Sequence, residues 1–357
     1  MATPHQVQVG SLQYTVVDDC TTTYWAIITG AVGDEILGEF YAPDFTVETG
    51  RPDLPSKTTA KGLFAVTGYP DQSFPNHGSI TYPPLTLQFK APGFREFTLL
   101  VPMPAGAPFP IAITPFPQLR RLPVRIQGRV VNDLTRAPIP NAVVQSVDDP
   151  LTPPLVHTMA LRTPLYFDHL NTTAVQLVNL AAAGGANLSA DVAAGDQVLN
   201  LSTLAGLSIG ALVRLSSAAG VSVEYGVVVS LSPGVPNQAF LSNRLNRSYA
   251  MAATTVQFFN PTPVGGIANL VADANAGDAV LVANQLLSGT TLVVDTGSMA
   301  EYHESGALTD GDGYYGLDGM GRVQKVFLQA SQGALQQTVG WFIEYDNAIN
   351  VVDLRLS

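Results

Sequence analysis

Cysteine is all but absent, with Cys20 alone in 357 residues. A single thiol excludes an internal disulfide framework and a cysteine-built zinc site, so the fold must rest on packing. Charge is scarce as well. Charged residues make up 13% of the chain against 46% hydrophobic, below the roughly 25% of an ordinary soluble domain, which leaves neutral surface for contact with partners. Lys and Arg number 17 against 28 Asp and Glu, a net charge of −11. Phosphate backbones are held by clustered cations, so no nucleic-acid partner is expected. No run reaches the ~20 apolar residues of a membrane span. The opening MATPHQVQVGSLQYTVV has no basic stretch leading into an apolar one, so no secretory signal is read and synthesis in the cytoplasm is expected. Without a signal, the sequons at Asn171, Asn187, Asn200 and Asn246 read as chance matches in a Ser/Thr-rich chain.

Catalytic signatures are missing too. No Gly-x-Ser-x-Gly elbow, Gly-rich phosphate loop with Lys, or dinucleotide fingerprint occurs. Ser298 stands in Gly-Ser-Met without the second glycine, and His5, His77, His157, His169 and His303 never share the spacing of a helix-borne metal pair. A triad assembled from distant residues stays open, because such sites are defined by geometry. No cofactor is expected.

What the chain has is punctuation: 32 Gly and 26 Pro interrupt nearly every apolar run, which predicts an all-β protein. Leu85, Leu87 and Phe89 alternate with Thr86 and Gln88, and Val352, Leu354 and Leu356 with Asp353 and Arg355. A period of two with one apolar face is that of a half-buried sandwich strand. Strands are predicted at Leu12–Val17, Trp25–Thr29, Leu63–Val66, Leu85–Lys90 and Phe97–Val101, with helix only in short pieces near Thr163–Leu170 or Gln176–Ala183. The stretch from Tyr69 to Gly78 reads as an exposed loop. Three prolines between Thr114 and Pro123 mark a connector, closing an N-terminal β-sandwich at residue 117. Trp25 and Trp341 lie in apolar runs and are assigned to core packing.

After the connector, Val124-Arg-Ile-Gln-Gly-Arg-Val-Val131 leads through a turn to Pro138-Ile-Pro-Asn-Ala-Val-Val144, and far downstream come Thr309-Asp-Gly-Asp-Gly-Tyr-Tyr315, Val326–Ser331 with Gly333, and Asn350–Leu356. These pieces, in this order, resemble carboxypeptidase regulatory-like domains, small transthyretin-like β-sandwiches. The resemblance implies a scaffold or binding module: the fold is named for an accessory domain of a zinc peptidase, and the peptidase's own zinc-binding sequence is absent. In that family the Gly-Tyr-Tyr turn follows soon after the second strand. The long gap here implies a folded insertion, giving 118–150 and 306–357 as the two parts of a sandwich interrupted by 151–305; two β domains in series is the alternative. Thr59–Phe64 and Leu87–Phe94 in the N-terminal domain resemble the same turn and a later strand.

The insertion carries a repeat. Leu188–Leu199 aligns with Leu270–Leu281 at eight of twelve identical positions, and each copy later reaches a Glu-Tyr pair, Glu224-Tyr225 and Glu301-Tyr302. The copies, near 186–232 and 268–305, are similar to small β modules of virion-type particle proteins, and two packed together with pseudo-twofold symmetry would cover faces that one leaves exposed. The turn Asp310–Asp318 supplies the metal candidate: Asp310, Asp312 and Asp318 could offer oxygens to calcium, although Tyr314 occupies a ligand position and no Glu closes the loop, so a plain hairpin turn is the competing reading. Tyr314 and Tyr315 are the candidate exposed contacts. The functional expectation is a non-enzymatic structural subunit of a large protein particle, such as a phage tail or contractile injection system, partnered by other subunits and compatible with homo-oligomers. Its negative charge would keep the free subunit soluble. A cell-surface adhesin or carbohydrate-binding module is the alternative.

Overall fold

The computed structural model describes residues 25–151, 156–218, 220–287, 289–295 and 300–357, and the backbone of 5–9 and 12–16. Cys20 and Ser298 lie outside them. The chain is all-β and divides into two compact units, Met1–Arg120 and Arg121–Ser357.

The first unit holds β1 (His5–Val9), β2 (Leu12–Val16), β3 (Trp25–Ala31), β4 (Gly33–Asp34), β5 (Thr46–Glu48), β6 (Ser56–Thr58), β7 (Leu63–Gly68), one helical turn α1 (Pro70–Ser73), β8 (Tyr82–Lys90), β9 (Phe97–Met103), β10 (Ile111–Ala112) and β11 (Gln118–Leu119). Sheets β10-β3-β7-β6 and β5-β8-β9 enclose one core. Leu85, Leu87 and Phe89 on β8 are buried while Pro84 and Thr86 are exposed. A one-residue slip would turn all three outward, and at about 1.5–3 kcal/mol per buried side chain that fixes the register.

Three expectations fail in this unit. It runs past residue 117, because Gln118 and Leu119 pair with Gly33 and Asp34 and Leu119 is fully buried. The stretch Tyr69–Gly78 is no exposed loop: Phe74 and His77 are buried, with His77 stacked on Phe109 at 4.8 Å between ring centres. Its aromatic residues outweigh its turn residues. Trp25 is 63% exposed rather than in the core, since it pairs with Gly68 at the end of the β3–β7 ladder, where no side chain stands opposite it.

The second unit holds β12 (Val124–Asn132), β13 (Val143–Val147), β14 (His157–Ala160), β15 (Ala174–Ala186), β16 (Val198–Leu201), β17 (Leu212–Ser217), β18 (Val223–Ser232), β19 (Asn237–Leu241), β20 (Thr254–Asn269), β21 (Val280–Ala283), β22 (Thr291–Asp295), β23 (Ala300–Glu304), β24 (Ala307–Leu308), β25 (Tyr314–Met320), β26 (Lys325–Gln332), β27 (Leu335–Phe342), β28 (Ile349–Val351) and β29 (Leu354–Leu356). β12 lies between β25 and the successive parallel strands β28 and β29, and β13 joins β24, β26 and β27. Strands from 124–147 thus pair with strands from 307–356, and together they enclose one core.

The two units repeat one strand plan. In the first, β3 and β4 are flanked by β7 and by the parallel β10 and β11, as β12 is by β25, β28 and β29. The turns before β7 and β25 bond alike. Thr59 N–H donates to Leu63 O and Gly62 N–H to Thr59 O, as Asp310 N–H does to Tyr314 O and Gly313 N–H to Asp310 O. Gly62 and Gly313 hold φ of +79° and +80°, a conformation that favours glycine.

Residues between β13 and β24 build two modules around the antiparallel pair β15–β20. Where helix was expected, Gln176–Ala183 lies within β15 and Thr163–Leu170 is turn and irregular backbone. A run such as Val-Gln-Leu-Val-Asn-Leu suits a strand as readily as a short helix, and pairing with both β20 and β22 decides it. The repeated turns match bond for bond. Gly195 N–H donates to Leu245 O and Gly277 N–H to Leu165 O, while Asp191 accepts Met251 N–H as Asp273 accepts Asn171 N–H. The second module is therefore completed from upstream. Its β21 pairs with β14, as β16 pairs with β19, and its core includes Met159, Leu161 and Leu165. Gly195 and Gly277 have φ of +94° and +90°, and open space stands where a Cβ on Gly195 would lie, so valine at 195 meets backbone strain alone. Valine at either position is expected to lower unfolding stability by about 1–3 kcal/mol; unchanged melting of both variants would remove this account of the turns.

Candidate functional site

The acidic turn does not assemble a calcium site. Asp310 Oδ1 accepts the backbone N–H of Asp312 at 3.0 Å and of Tyr314 at 2.8 Å, which caps the turn. Asp318, farther along β25, is instead taken by two arginines: Arg125 Nη1 at 2.6 Å and Arg247 Nη2 at 3.1 Å. Among the described residues no group of three or more His, Cys, Asp or Glu side chains is placed to hold a metal ion. The tyrosines part as strand alternation requires. Tyr314 is exposed beneath the Arg129 guanidinium, 5.3 Å from the ring centre. Tyr315 is buried, its hydroxyl donating to Val352 O at 2.8 Å, so it is a core residue and no exposed contact.

The densest chemistry of the second unit lies between the modules, at the Glu-Tyr pairs. Glu224, on β18, accepts the backbone N–H of Asn246 at 2.7 Å and of Arg247 at 2.9 Å. Glu301, at the matching place on β23, accepts those of Tyr166 and Phe167 and bonds His169 Nε2. Each buried carboxylate thus fastens the loop that closes its module. Glu304 completes the group by pairing with Arg162 and Arg214 and accepting the Tyr225 hydroxyl at 2.6 Å. His303 is buried against the Tyr166 ring, with Nε2 3.9 Å from Glu301 Oε1. The histidine spacing gives no sign that His169 and His303 both reach Glu301, because one comes from the irregular segment before β15 and the other from β23.

Burial pushes all three carboxyls up, and their partners decide the outcome. For Glu301, the hydrogen bond from His169 and the neighbouring His303 overcome burial and hold the carboxyl below its ordinary range. For Glu304 the Arg162 charge, the Tyr225 hydroxyl and Arg214 do the same. Glu224 has weaker help, and burial leaves it raised. A group whose folded pKa is depressed stabilises above its unfolded pKa, about 4.3 for Glu, and loses that contribution as pH falls through the folded value. Glu224 acts in the opposite sense. As pH falls from 7, protonation of Glu224 through its raised folded value favours folding, whereas the two lowered carboxyls cost nothing until about pH 4.5. The urea midpoint of the second unit is therefore expected to hold or rise slightly from pH 7 to 5 and to fall below about pH 4.5. A midpoint that already falls between pH 7 and 5 would contradict this assignment.

The first unit offers a surface of another kind. Phe97, Leu99, Leu100, Ile111, Ile113 and Phe116 line an open apolar groove between β9 and β10, each the end strand of its sheet. Leu100 and Phe116 are more than half exposed, and no charged residue occurs from Phe97 to Leu119.

No family model and no curated protein matches the chain. One solved structure that matches is the crystal structure of BcpA*(D312A), the major pilin subunit of Bacillus cereus, at 8% identity, covering 94% of this chain and 99% of that one, with a TM-score of 0.18. Among the described residues no helix is long and apolar enough to cross a membrane.

Proposed function

We propose that the chain is a non-enzymatic structural subunit of a large protein particle, of the phage-tail or contractile-injection kind, built on carboxypeptidase regulatory-like sandwiches. The observation that carries this reading is the groove between β9 and β10. Free sheet edges are normally guarded by charge, or by a covering segment. Here the wall is apolar and uncharged, the kind of patch that marks a contact with another protein. Prolines at 102, 104, 108, 110, 115 and 117 remove backbone donors along it. Side-chain packing, rather than addition of a strand, is therefore the mode of contact.

The test is recovery of particles from the native host with mass spectrometry of their components. The chain is expected at a fixed ratio to the other subunits, and Leu100→Glu, at an exposed position, is expected to abolish incorporation while leaving melting unchanged. Absence from every particle, together with binding of the purified chain to glycans, would instead support the adhesin or carbohydrate-binding reading.

A further inference from the structure

We propose that a cleft beside β24 in the second unit binds a small oxyanion, with the Arg125 and Arg247 guanidinium groups as its donors. The cleft is lined by Arg125, Ser222, Arg247, Leu308, Gly316 and Asp318. Arg125 comes from β12, Arg247 from the loop after β19, and Asp318 holds both in place. Their aim is set by further contacts. Arg125 Nε donates to Gln127 Oε1 at 2.9 Å, and Arg247 Nη2 donates to Arg162 O at 2.7 Å. The Arg125 guanidinium lies over Gly316, where a Cβ would stand 3.0 Å from its Cζ. Glycine here makes room for the fork.

Donors remain after these bonds are made. Among the described residues, no hydrogen bond is formed by Arg125 Nη2 or by Arg247 Nη1 and Nε, and a guanidinium has five N–H groups in a plane suited to oxyanions. Charge points the same way. Two arginines face one aspartate in this cleft. A second cleft shares its Ala307 and Leu308 wall and sets Arg162 and Arg214 against Glu304. Four cations thus outnumber two anions around β24, in a chain of net charge −11. A cavity lined by one excess sign concentrates the opposite ion. Phosphate, sulfate and carboxylate share the required chemistry. The inference does not depend on the particle reading.

The test is calorimetric titration of the full chain with inorganic phosphate, sulfate and acetate at constant ionic strength. Saturable binding is expected. Arg125→Gln, at a position nearly half exposed, should weaken it about tenfold or more by removing charge-assisted hydrogen bonds. Gly316→Ala should weaken it while keeping every charge, because it displaces the guanidinium. Preference for phosphate and sulfate over acetate identifies a tetrahedral ligand, and the reverse a carboxylate. Heats that do not saturate, or an affinity unchanged in both variants with native-like melting, would overturn the proposal.

Discussion

Glu301→Ala is expected to lower the stability of the second unit by about 3–5 kcal/mol, the cost of leaving several buried donors without their shared acceptor. The side chain is fully buried, as is that of His169. Its loss strands the N–H groups of Tyr166 and Phe167 and the His169 ring together, and a buried donor left without an acceptor costs about 1–3 kcal/mol by itself. Glu301→Gln keeps one carbonyl acceptor and should fall between alanine and wild type. Urea unfolding, read on the transition of the second unit because a two-unit chain is not expected to unfold in one step, makes the comparison. The loop that Glu301 fastens comes from residues 161–171, so its release should also raise amide exchange in β14. A loss under 1 kcal/mol would mean that the loop is held by its apolar residues, Leu161 and Leu165, and that the carboxylate is incidental.

The contrast between Glu301 and the repeated turns shows what the sequence makes legible. Ala-Gly-Asp recurs because a positive φ and a carboxylate within reach of its own backbone are local requirements, met by the same residues each time. Strand alternation at Leu85–Phe89 and Val352–Leu356 is legible for the same reason: one face is buried and the other is wet. The completion of the second module by an upstream segment leaves little trace. The loops 161–169 and 241–249 share leucines at matching positions, Leu161 with Leu241 and Leu165 with Leu245, but the contacts that fasten them are made by backbone N–H groups, which any residue but proline supplies. Glu224-Tyr225 and Glu301-Tyr302 were visible as a recurring pair; what they bind was not, since the partners sit at unrelated distances along the chain. The role of Asp318 is hidden for a related reason. Its neighbours in sequence are the acids of the turn, whereas its neighbours in space are Arg125 and Arg247. Tyr315 lies in a turn whose residue types suggest exposure, but alternation with Tyr314 places one of the two inward, and it is Tyr315.

Gly128→Ala should be as damaging as any core truncation, for a backbone reason. Gly128 lies in β12 opposite Tyr315, where the chain passes from β28 to β29 across its Cα. An added Cβ would overlap the Val352 carbonyl, lying 2.5 Å from its carbon atom. That carbonyl cannot retreat freely. Val352 N–H donates to Gln127 O at 2.8 Å, Val352 O accepts the Tyr315 hydroxyl at 2.8 Å, and Asp353 accepts Arg129 N–H at 2.9 Å. Relief of the overlap must break at least one of these bonds in the interior. Overpacking costs about 1–3 kcal/mol and a buried unmade hydrogen bond about 1–3 more, so a loss of about 2–6 kcal/mol is expected. Gly30 takes the same place in the first unit, opposite Phe64, and supplies the control. A Cβ there meets the Phe64 ring at 2.8 Å and Ile113 Cβ at 3.3 Å, so part of the overlap is with a side chain that can rotate. Gly30→Ala should therefore cost less, about 1–3 kcal/mol. If the two variants lose the same stability in urea unfolding, each read on its own unit's transition, the crossing at Val352 is more yielding than its hydrogen bonds imply.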